Sequence, residues 1–458
     1  MAAPGTDLID ALVASLPDGV VVVDADRVEK YRRDRSQDPH AGTPAAVVRA
    51  ESAEHVQTAV RWAAEHGVAV VPRGAGTGLS GGSSAVDGGI VVSLERMTAI
   101  DVDPACQVAV VEPGAFNKDV KAAAAEHGLW YPPDPSSYEI CSIGGNIATN
   151  AGGLCCVKYG VTTDYVLGLD VVLADGTLVS LGGRRIKDAA GLSLVKLFVG
   201  SEGTLGIVTR AILRLVPAQP AGATLVATFP TMTAAAEAVV AIRSGLRPSM
   251  LELMDQPSIR AVESHRPMGL DTAAGALLVA QSDAPGTACA AEVESMRAAC
   301  LAVGAADVFV TDDADEGEQF VQARRMVIPA VELLGELMLE DVGVPVPRLP
   351  ELVDAVAVIA ARHDLLIPVV AHAGDGNTHP LIVVPRGDDA ARVRTLVAFD
   401  EIMIAAIGLG GTITGEHGVG RTKKSALPAQ LGADVMALTR RVKDALDPDG
   451  ILNPGAML

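Results

Sequence analysis

Five of the nine residues from 74 to 82 are glycine. Glycine loses more backbone freedom on folding than any other residue, so a run this dense is kept where φ is positive or a ligand approaches the main chain. The run sits in PRGAGTGLSGGSS, between two short apolar segments, VAVVPR and GIVVSL, that read as strands. Within it GTGLSG (Gly76, Gly78, Gly81) matches the dinucleotide pattern GxGxxG letter for letter. A Rossmann turn, however, opens directly into a helix, with a second strand and an acid about 20 residues on. Here only SSAVDG separates Gly82 from the strand that starts at Gly89, which leaves no room for that helix and excludes the Rossmann fold. What remains is a run of N–H groups able to curl into a nest for an oxyanion such as a pyrophosphate. A plain glycine-rich hairpin is the bland alternative.

The segments around this loop set the organisation. AAVVRA and VAVVPRG read as strands, and SAEHVQTAVRWAAEHG between them has a serine N-cap, helical spacing and a closing glycine, which makes a β-α-β unit. Upstream the sequence predicts an amphipathic helix, a turn at Pro17-Asp18-Gly19, a strand from Val20 to Val23, and a charged helical stretch ending at Asp38-Pro39. Downstream, VAVVEPG, LGLDVVLADGTLVSL and GIVTRAILRLVP read as further strands. After Pro217 the texture changes: strands such as TLVATF and GALLVAQS alternate with Ala-rich helices over about 219–410, an α+β pattern. The tail brings a new glycine-rich motif and ends in LDPDGILNPGAML, too short for a domain of its own.

Composition removes several functions. The chain has 36 Lys plus Arg against 56 Asp plus Glu in 458 residues, a net charge of -20, which argues against a nucleic-acid partner. No run approaches the roughly 18 apolar residues of a membrane span. The N-terminus lacks the basic region of a signal peptide, so the default location is cytoplasmic. Six cysteines without a CxxC pair predict reduced, mostly buried thiols and no iron-sulfur cluster.

Three more segments share the character of the first loop: PPDPSS (132–137), SIGGNIATNAGG (142–153) and GSEGTLGIVT (200–209). Four polar loops between strands of one region predict a large cofactor anchored at several points along a sheet edge. With HAGDGNTH, GEHGVG and LDPDGILNPG following in order, the sequence resembles the FAD-linked oxidases of the vanillyl-alcohol oxidase / p-cresol methylhydroxylase (PCMH) superfamily. Within it, the sequence resembles more closely the D-2-hydroxyacid dehydrogenases, which include D-lactate dehydrogenases, the glycolate oxidase flavin subunit and D-2-hydroxyglutarate dehydrogenase. The resemblance, over about 45–458, implies an α+β chain with four parts. These are an N-terminal helical segment (1–39), a PCMH-type FAD-binding domain of two α/β subdomains (40–218), a cap with an antiparallel sheet (219–410), and a C-terminal segment (411–458) returning to the FAD domain. The residues expected at FAD are Pro72, Arg73, Gly74, Ala75, Gly76, Thr77, Gly78, Leu79 and Ser80; Pro133, Asp134, Pro135 and Ser136; Gly144, Gly145, Asn146, Thr149, Asn150, Gly152 and Gly153; Glu202, Gly203, Ile207 and Val208; and Asn453. Some relatives tether FAD through a histidine in the first loop; residues 73–84 contain none, so the FAD is expected to be non-covalent.

HAGDGNTH places His372 and His379 on either side of a tight Gly374-Asp375-Gly376 turn, and GEHGVGRTKK supplies Glu416 and His417. Two histidines and a carboxylate can form an open metal site, although HxxxxxxH by itself fits ordinary polar turns as well. The resemblance implies that His372, His379 and Glu416 bind a divalent metal, Zn2+ or Mn2+, and that His417 is the catalytic base. The ion would favour the alkoxide of a 2-hydroxy acid, and His417 would take its proton. The α-hydrogen would pass as hydride to flavin N5, with a carbanion route equally open. Arg324 matches the family's arginine that clamps the substrate carboxylate, with Val321 where relatives have Trp; a solvated helix face is the alternative. Asn377 is expected to orient the hydroxyl and Lys423 to contact flavin or substrate. Ile328 and Leu339 stand where a dicarboxylate-binding relative would have polar groups, which favours a short monocarboxylate such as D-lactate or glycolate over D-2-hydroxyglutarate. Two other readings are a non-redox flavoenzyme of the alkylglycerone-phosphate synthase type and a flavin-carrying subunit active only in a complex. The electron acceptor is unidentified, and a homodimer is one of the open oligomeric states.

Overall fold

The computed structural model describes residues 4–219 and 222–458. The chain forms two compact units, one of Met1–Gly152, Val161–Ala218 and His417–Leu458, the other of Gly153–Gly160 and Gln219–Glu416.

In the first unit, β1 (Val21–Val22), β2 (Ala46–Arg49), β3 (Val70–Arg73) and β4 (Ile90–Ser93) form a sheet in the order β1-β2-β4-β3. β4 runs parallel to both neighbours, with Ile90 opposite Ala46 on one side and Val70 on the other. The helix Ala53–His66 leads from β2 to β3; Ser52 caps its start, and Gly67 ends it in the left-handed region at φ 62°. Such a side-chain cap contributes about 1 kcal/mol. The helix buries Val56, Ala59, Val60, Trp62 and Ala63 in a core shared with Val70, Ile90 and Val92. β3 and β4 are parallel neighbours, yet no helix lies between them. The glycine-rich segment therefore carries the chain back along the sheet as loop, which explains its density of glycine.

A second sheet follows, of β5 (Ile100–Asp103), β6 (Val108–Val111), β8 (Val166–Val172), β9 (Leu178–Gly182) and β10 (Ile207–Arg214), in the antiparallel order β5-β6-β10-β8-β9. The short β7 (Leu129–Trp130) pairs with β11 (Val216–Pro217). Three expectations fail here. The charged stretch before Asp38 is helical only over Ala25–Glu29: Asp24 caps one short turn, and beyond it the chain is held in turns, with Gln37 N donating to Asp34 O and the Arg32 guanidinium to Ala41 O. Residues 143–149 of the third loop are a helix, ended by Asn150 at φ 53°; two adjacent glycines disguised it. Of the cysteines only Cys141 and Cys300 are buried, and Cys106 is exposed.

The second unit carries β12 (Ala223–Phe229), β13 (Met250–Asp255), β14 (Ala276–Ser282), β15 (Asp307–Thr311), β16 (Glu336–Leu339), β17 (Val342–Gly343), β18 (Val369–His372) and β19 (Asn377–Val384). The sheet order is β15-β12-β14-β13-β18-β19-β16, with β17 pairing β19, and every pairing is antiparallel. β18 and β19 are buried throughout. They place polar side chains deep inside an apolar sheet, where each must be compensated. No helix among the described residues is long and apolar enough to cross a membrane.

Candidate functional site

In the first unit, many residues assigned to the cofactor brace one another. Arg73 is buried, and its guanidinium donates to Arg33 O at 3.0 Å and Ser83 O at 3.4 Å, folding beneath Gly76, whose added Cβ would lie 2.1 Å from Nη2. Ser142 Oγ accepts from Ala75 N at 3.1 Å, and Gly74 has no space for a Cβ against it. Asn146 is engaged by Asn117 Nδ2 and Cys141 Sγ, and Asn150 Oδ1 accepts from Thr163 N. Asn453 donates to Gly82 O and Glu202 O, both at 2.7 Å, and accepts from Arg421. Its amide group is therefore a strut for the loops, not a free arm toward a ring. By contrast, among the described residues the amides of Gly76, Thr77, Gly78 and Leu79 have no protein hydrogen-bond acceptor. Four successive N–H groups left over, on a loop braced from behind by Arg73 and Ser142, fit a pyrophosphate.

Glu202, placed with the cofactor from sequence, holds the segment after His417. Its two carboxylate oxygens accept from Val419 N at 2.8 Å and Gly420 N at 2.7 Å, while Ser80 Oγ donates to His417 O at 3.0 Å. Burial raises its pKa to about 7, against the pull of those two amides and of Arg421. Lys423 is buried nearby in sequence, at the start of the short 3-10 turn Lys424–Ala426.

In the second unit, His372 closes β18 opposite Asn377, and His379 lies opposite Val370, so the two imidazoles are diagonal neighbours on one face of a hairpin. Their ring centroids are 5.1 Å apart at 86°. Glu416 Oε1 is 3.1 Å from His372 Nε2 and 3.3 Å from His379 Nε2. Ligands about 2.0–2.1 Å from a tetrahedral ion sit roughly 3.3 Å from one another, so this triad has the spacing of a zinc-type site. Behind each ring stands a second buried carboxylate that sequence reasoning missed. Glu252 lies 2.9 and 3.0 Å from His372 Nδ1. Asp341 Oδ1 is 3.7 Å from His379 Nδ1, and its Oδ2 accepts from Thr414 Oγ1, Gly415 N and Glu416 N at 2.7, 3.0 and 3.1 Å. The Glu252 carboxylate on Nδ1 leaves Nε2 of His372 as the ligand atom, whereas Asp341 stands behind His379 at ion-pair distance only. Burial disfavours a charged imidazole at His372, yet Glu252 and Glu416 outweigh it and push its pKa well above the ordinary value. Burial likewise resists the Glu416 charge, and His372 and His379 overcome it to hold the carboxyl well below its usual range.

Arg324 lies in the last turn of the helix Ala314–Arg325 and is 2% exposed, so it is no solvated face. Its Nε forms an ion pair with Glu252 Oε2 at 2.9 Å, and both Nε and Nη2 are buried with no hydrogen-bond partner among the described residues. Asn377 Oδ1 is likewise buried and unpartnered, under Gly415, where a Cβ would come within 2.3 Å of it. Ile328 and Leu339 pack against the apolar core of this unit, which accounts for their character independently of any substrate. Glu252 lies in the strand sequence SMLELMD and Asp341 in MLEDVG, beside Glu340 in the link between β16 and β17; the only signal in either was acid within an apolar stretch.

The sequence matches the family described as FAD binding domain over residues 44–182 and the FAD linked oxidases, C-terminal domain, over 218–457. It is 41% identical over 417 residues to the glycolate oxidase subunit GlcD of Bacillus subtilis (strain 168), covering 90% of this chain and 89% of that one. It is 35% identical over 426 residues to a D-lactate dehydrogenase of Archaeoglobus fulgidus, covering 92% and 93%. The fold superposes on p-cresol methylhydroxylase with a TM-score of 0.81 at 18% identity, over 98% of this chain and 96% of the other.

Proposed function

This chain belongs to the FAD-linked oxidases, and we propose that it oxidises a short D-2-hydroxy monocarboxylate to the 2-oxo acid, with a divalent ion at His372, His379 and Glu416. The observation that carries the reading is the donor set itself: three ligand atoms at ion-binding spacing, each histidine backed by a buried carboxylate. When bound, the ion supplies Lewis acidity at the hydroxyl oxygen, and the flavin supplies a two-electron acceptor for the α-hydrogen with its bonding pair. Arg324, whose buried Nη2 lacks an acceptor, receives the substrate carboxylate. Asn377 orients the hydroxyl, and His417 takes its proton. The names of the relatives, a glycolate oxidase subunit and a D-lactate dehydrogenase, support a small acid over a dicarboxylate. FAD is held non-covalently by the first glycine loop, and a cytoplasmic location belongs to the same reading.

The test is anaerobic mixing of the purified yellow protein with D-lactate, glycolate and D-2-hydroxyglutarate while the flavin absorbance is followed. The short acids are expected to bleach it fastest. His417→Ala is expected to keep its flavin and lose roughly 10²–10⁴-fold in bleaching rate, the usual scale of general-base catalysis. If no 2-hydroxy acid bleaches the wild-type flavin, the oxidation reading fails; if His417→Ala bleaches normally, His417 is not the base.

A further inference from the structure

Glu252 has two partners of opposite purpose. One oxygen edge faces His372 Nδ1 at 2.9 and 3.0 Å, and Oε2 also lies 2.9 Å from Arg324 Nε. Glu252 is 1% exposed, His372 3% and Arg324 2%. Water therefore does not screen this chain of charges, and a change in one contact must be felt at the other. Nothing forces the two contacts onto one residue. Glu252 lies on β13, one position beyond the Leu253↔Ala371 ladder pair that joins β13 to β18 and so beside His372. Arg324 arrives from a helix far along the chain.

We infer that Glu252 is a positioning residue that makes ion binding at His372 and carboxylate capture by Arg324 a single coupled event. The inference rests on the metal-assisted reading given above. An ion on His372 Nε2 withdraws electrons from the ring and makes Nδ1–H a stronger donor, which draws Glu252 toward the histidine. Arg324 is then less fully neutralised and presents more positive charge through its unpartnered Nη2 to the incoming carboxylate. The order follows: the ion readies the arginine, and an arginine occupied by Glu252 weakens the ion site.

The coupling is read from ion affinity alone, without turnover. Mn2+ is titrated onto metal-stripped, FAD-loaded wild type, Glu252→Gln, Arg324→Met and the double variant, with flavin content and far-UV circular dichroism as the check on folding. Glu252→Gln is expected to weaken Mn2+ binding roughly 10–100-fold, the usual effect of removing a carboxylate behind a ligand histidine. Arg324→Met, which does not touch the ion, is expected to tighten binding several-fold by releasing Glu252 to His372. When Glu252→Gln is already present, the same Arg324 change is expected to have a clearly smaller effect, limited to the direct interaction of the Arg324 charge with Glu416. Glu252→Asp, which keeps the charge but shortens the reach, is expected to fall between wild type and Glu252→Gln and serves if the glutamine variant does not fold. Equal effects of Arg324→Met with and without Glu252→Gln overturn the coupling. If wild type binds no Mn2+ or Zn2+, it is the metal-assisted reading that fails.

Discussion

A protein with a buried carboxylate gripping two backbone amides should carry a measurable pH signature, and Glu202 is the place to look for it. In the folded chain its pKa lies at about 7 instead of the ordinary 4.5, because burial outweighs the amides of Val419 and Gly420 and the charge of Arg421. Between those two values the folded chain holds a proton that the unfolded chain has released. Stability from this group is therefore fully present below pH 4.5 and is lost as the pH rises through 7, a change of about 3 kcal/mol. Glu202→Gln keeps the shape and cannot ionise; its amide nitrogen cannot accept from Val419 or Gly420, a cost that does not vary with pH, so the pH-dependent part isolates the effect. The assay is urea unfolding of the FAD-loaded proteins from about pH 4.5 to about pH 8, followed by circular dichroism. From low to high pH the wild type should lose about 3 kcal/mol relative to the glutamine variant. A stability difference that stays flat across this range would mean that Glu202 titrates as an ordinary surface acid, and the account of its burial would be wrong.

Two further outcomes follow from the same geometry. Asp341→Asn removes the charge from three hydrogen bonds to Thr414, Gly415 and Glu416, and charge-assisted bonds are about twice as strong as neutral ones. Ion affinity should fall roughly 10–100-fold and the amides of Gly415 and Glu416 should exchange faster, both measurable on the loaded protein. Gly420→Ala places a Cβ 2.0 Å from Ser80 O at φ 52°, whereas Gly450→Ala, at φ 64°, meets nothing within 4 Å. The first should lower the melting temperature sharply and the second by the equivalent of about 1 kcal/mol; equal shifts would refute the steric argument.

The sequence carried its information at two scales. Local rules sufficed wherever the cause was local: Ser52 and Gly67 bracket a helix, alternation marks β10, and the spacing after Gly82 excludes a Rossmann turn. The same rules misread residues 143–149, because Gly144 and Gly145 argue against a helix; Gly144 is kept there by packing, its Cβ position 2.6 Å from Pro113. His372, His379 and Glu416 were visible because each lies in a glycine-marked motif. Glu252 and Asp341 were not, because an acid, or an adjacent pair such as Glu340-Asp341, in an apolar stretch has no pattern and takes its meaning from its neighbours in space.

What the amino-acid order determined alone, then, was the kind of chain: an α+β oxidase framework, its phosphate-type loop, and the residue types able to hold an ion. Tertiary structure decided which of those residues are partners. It made Arg73, Asn146 and Asn453 braces for loops, left the amides of 76–79 without protein acceptors among the described residues, and put one buried carboxylate behind each histidine. The physical reason is that sequence spacing governs hydrogen bonds and side-chain faces over a few residues, whereas the electrostatics of a buried site depend on strands and helices that meet only after the sheet has formed.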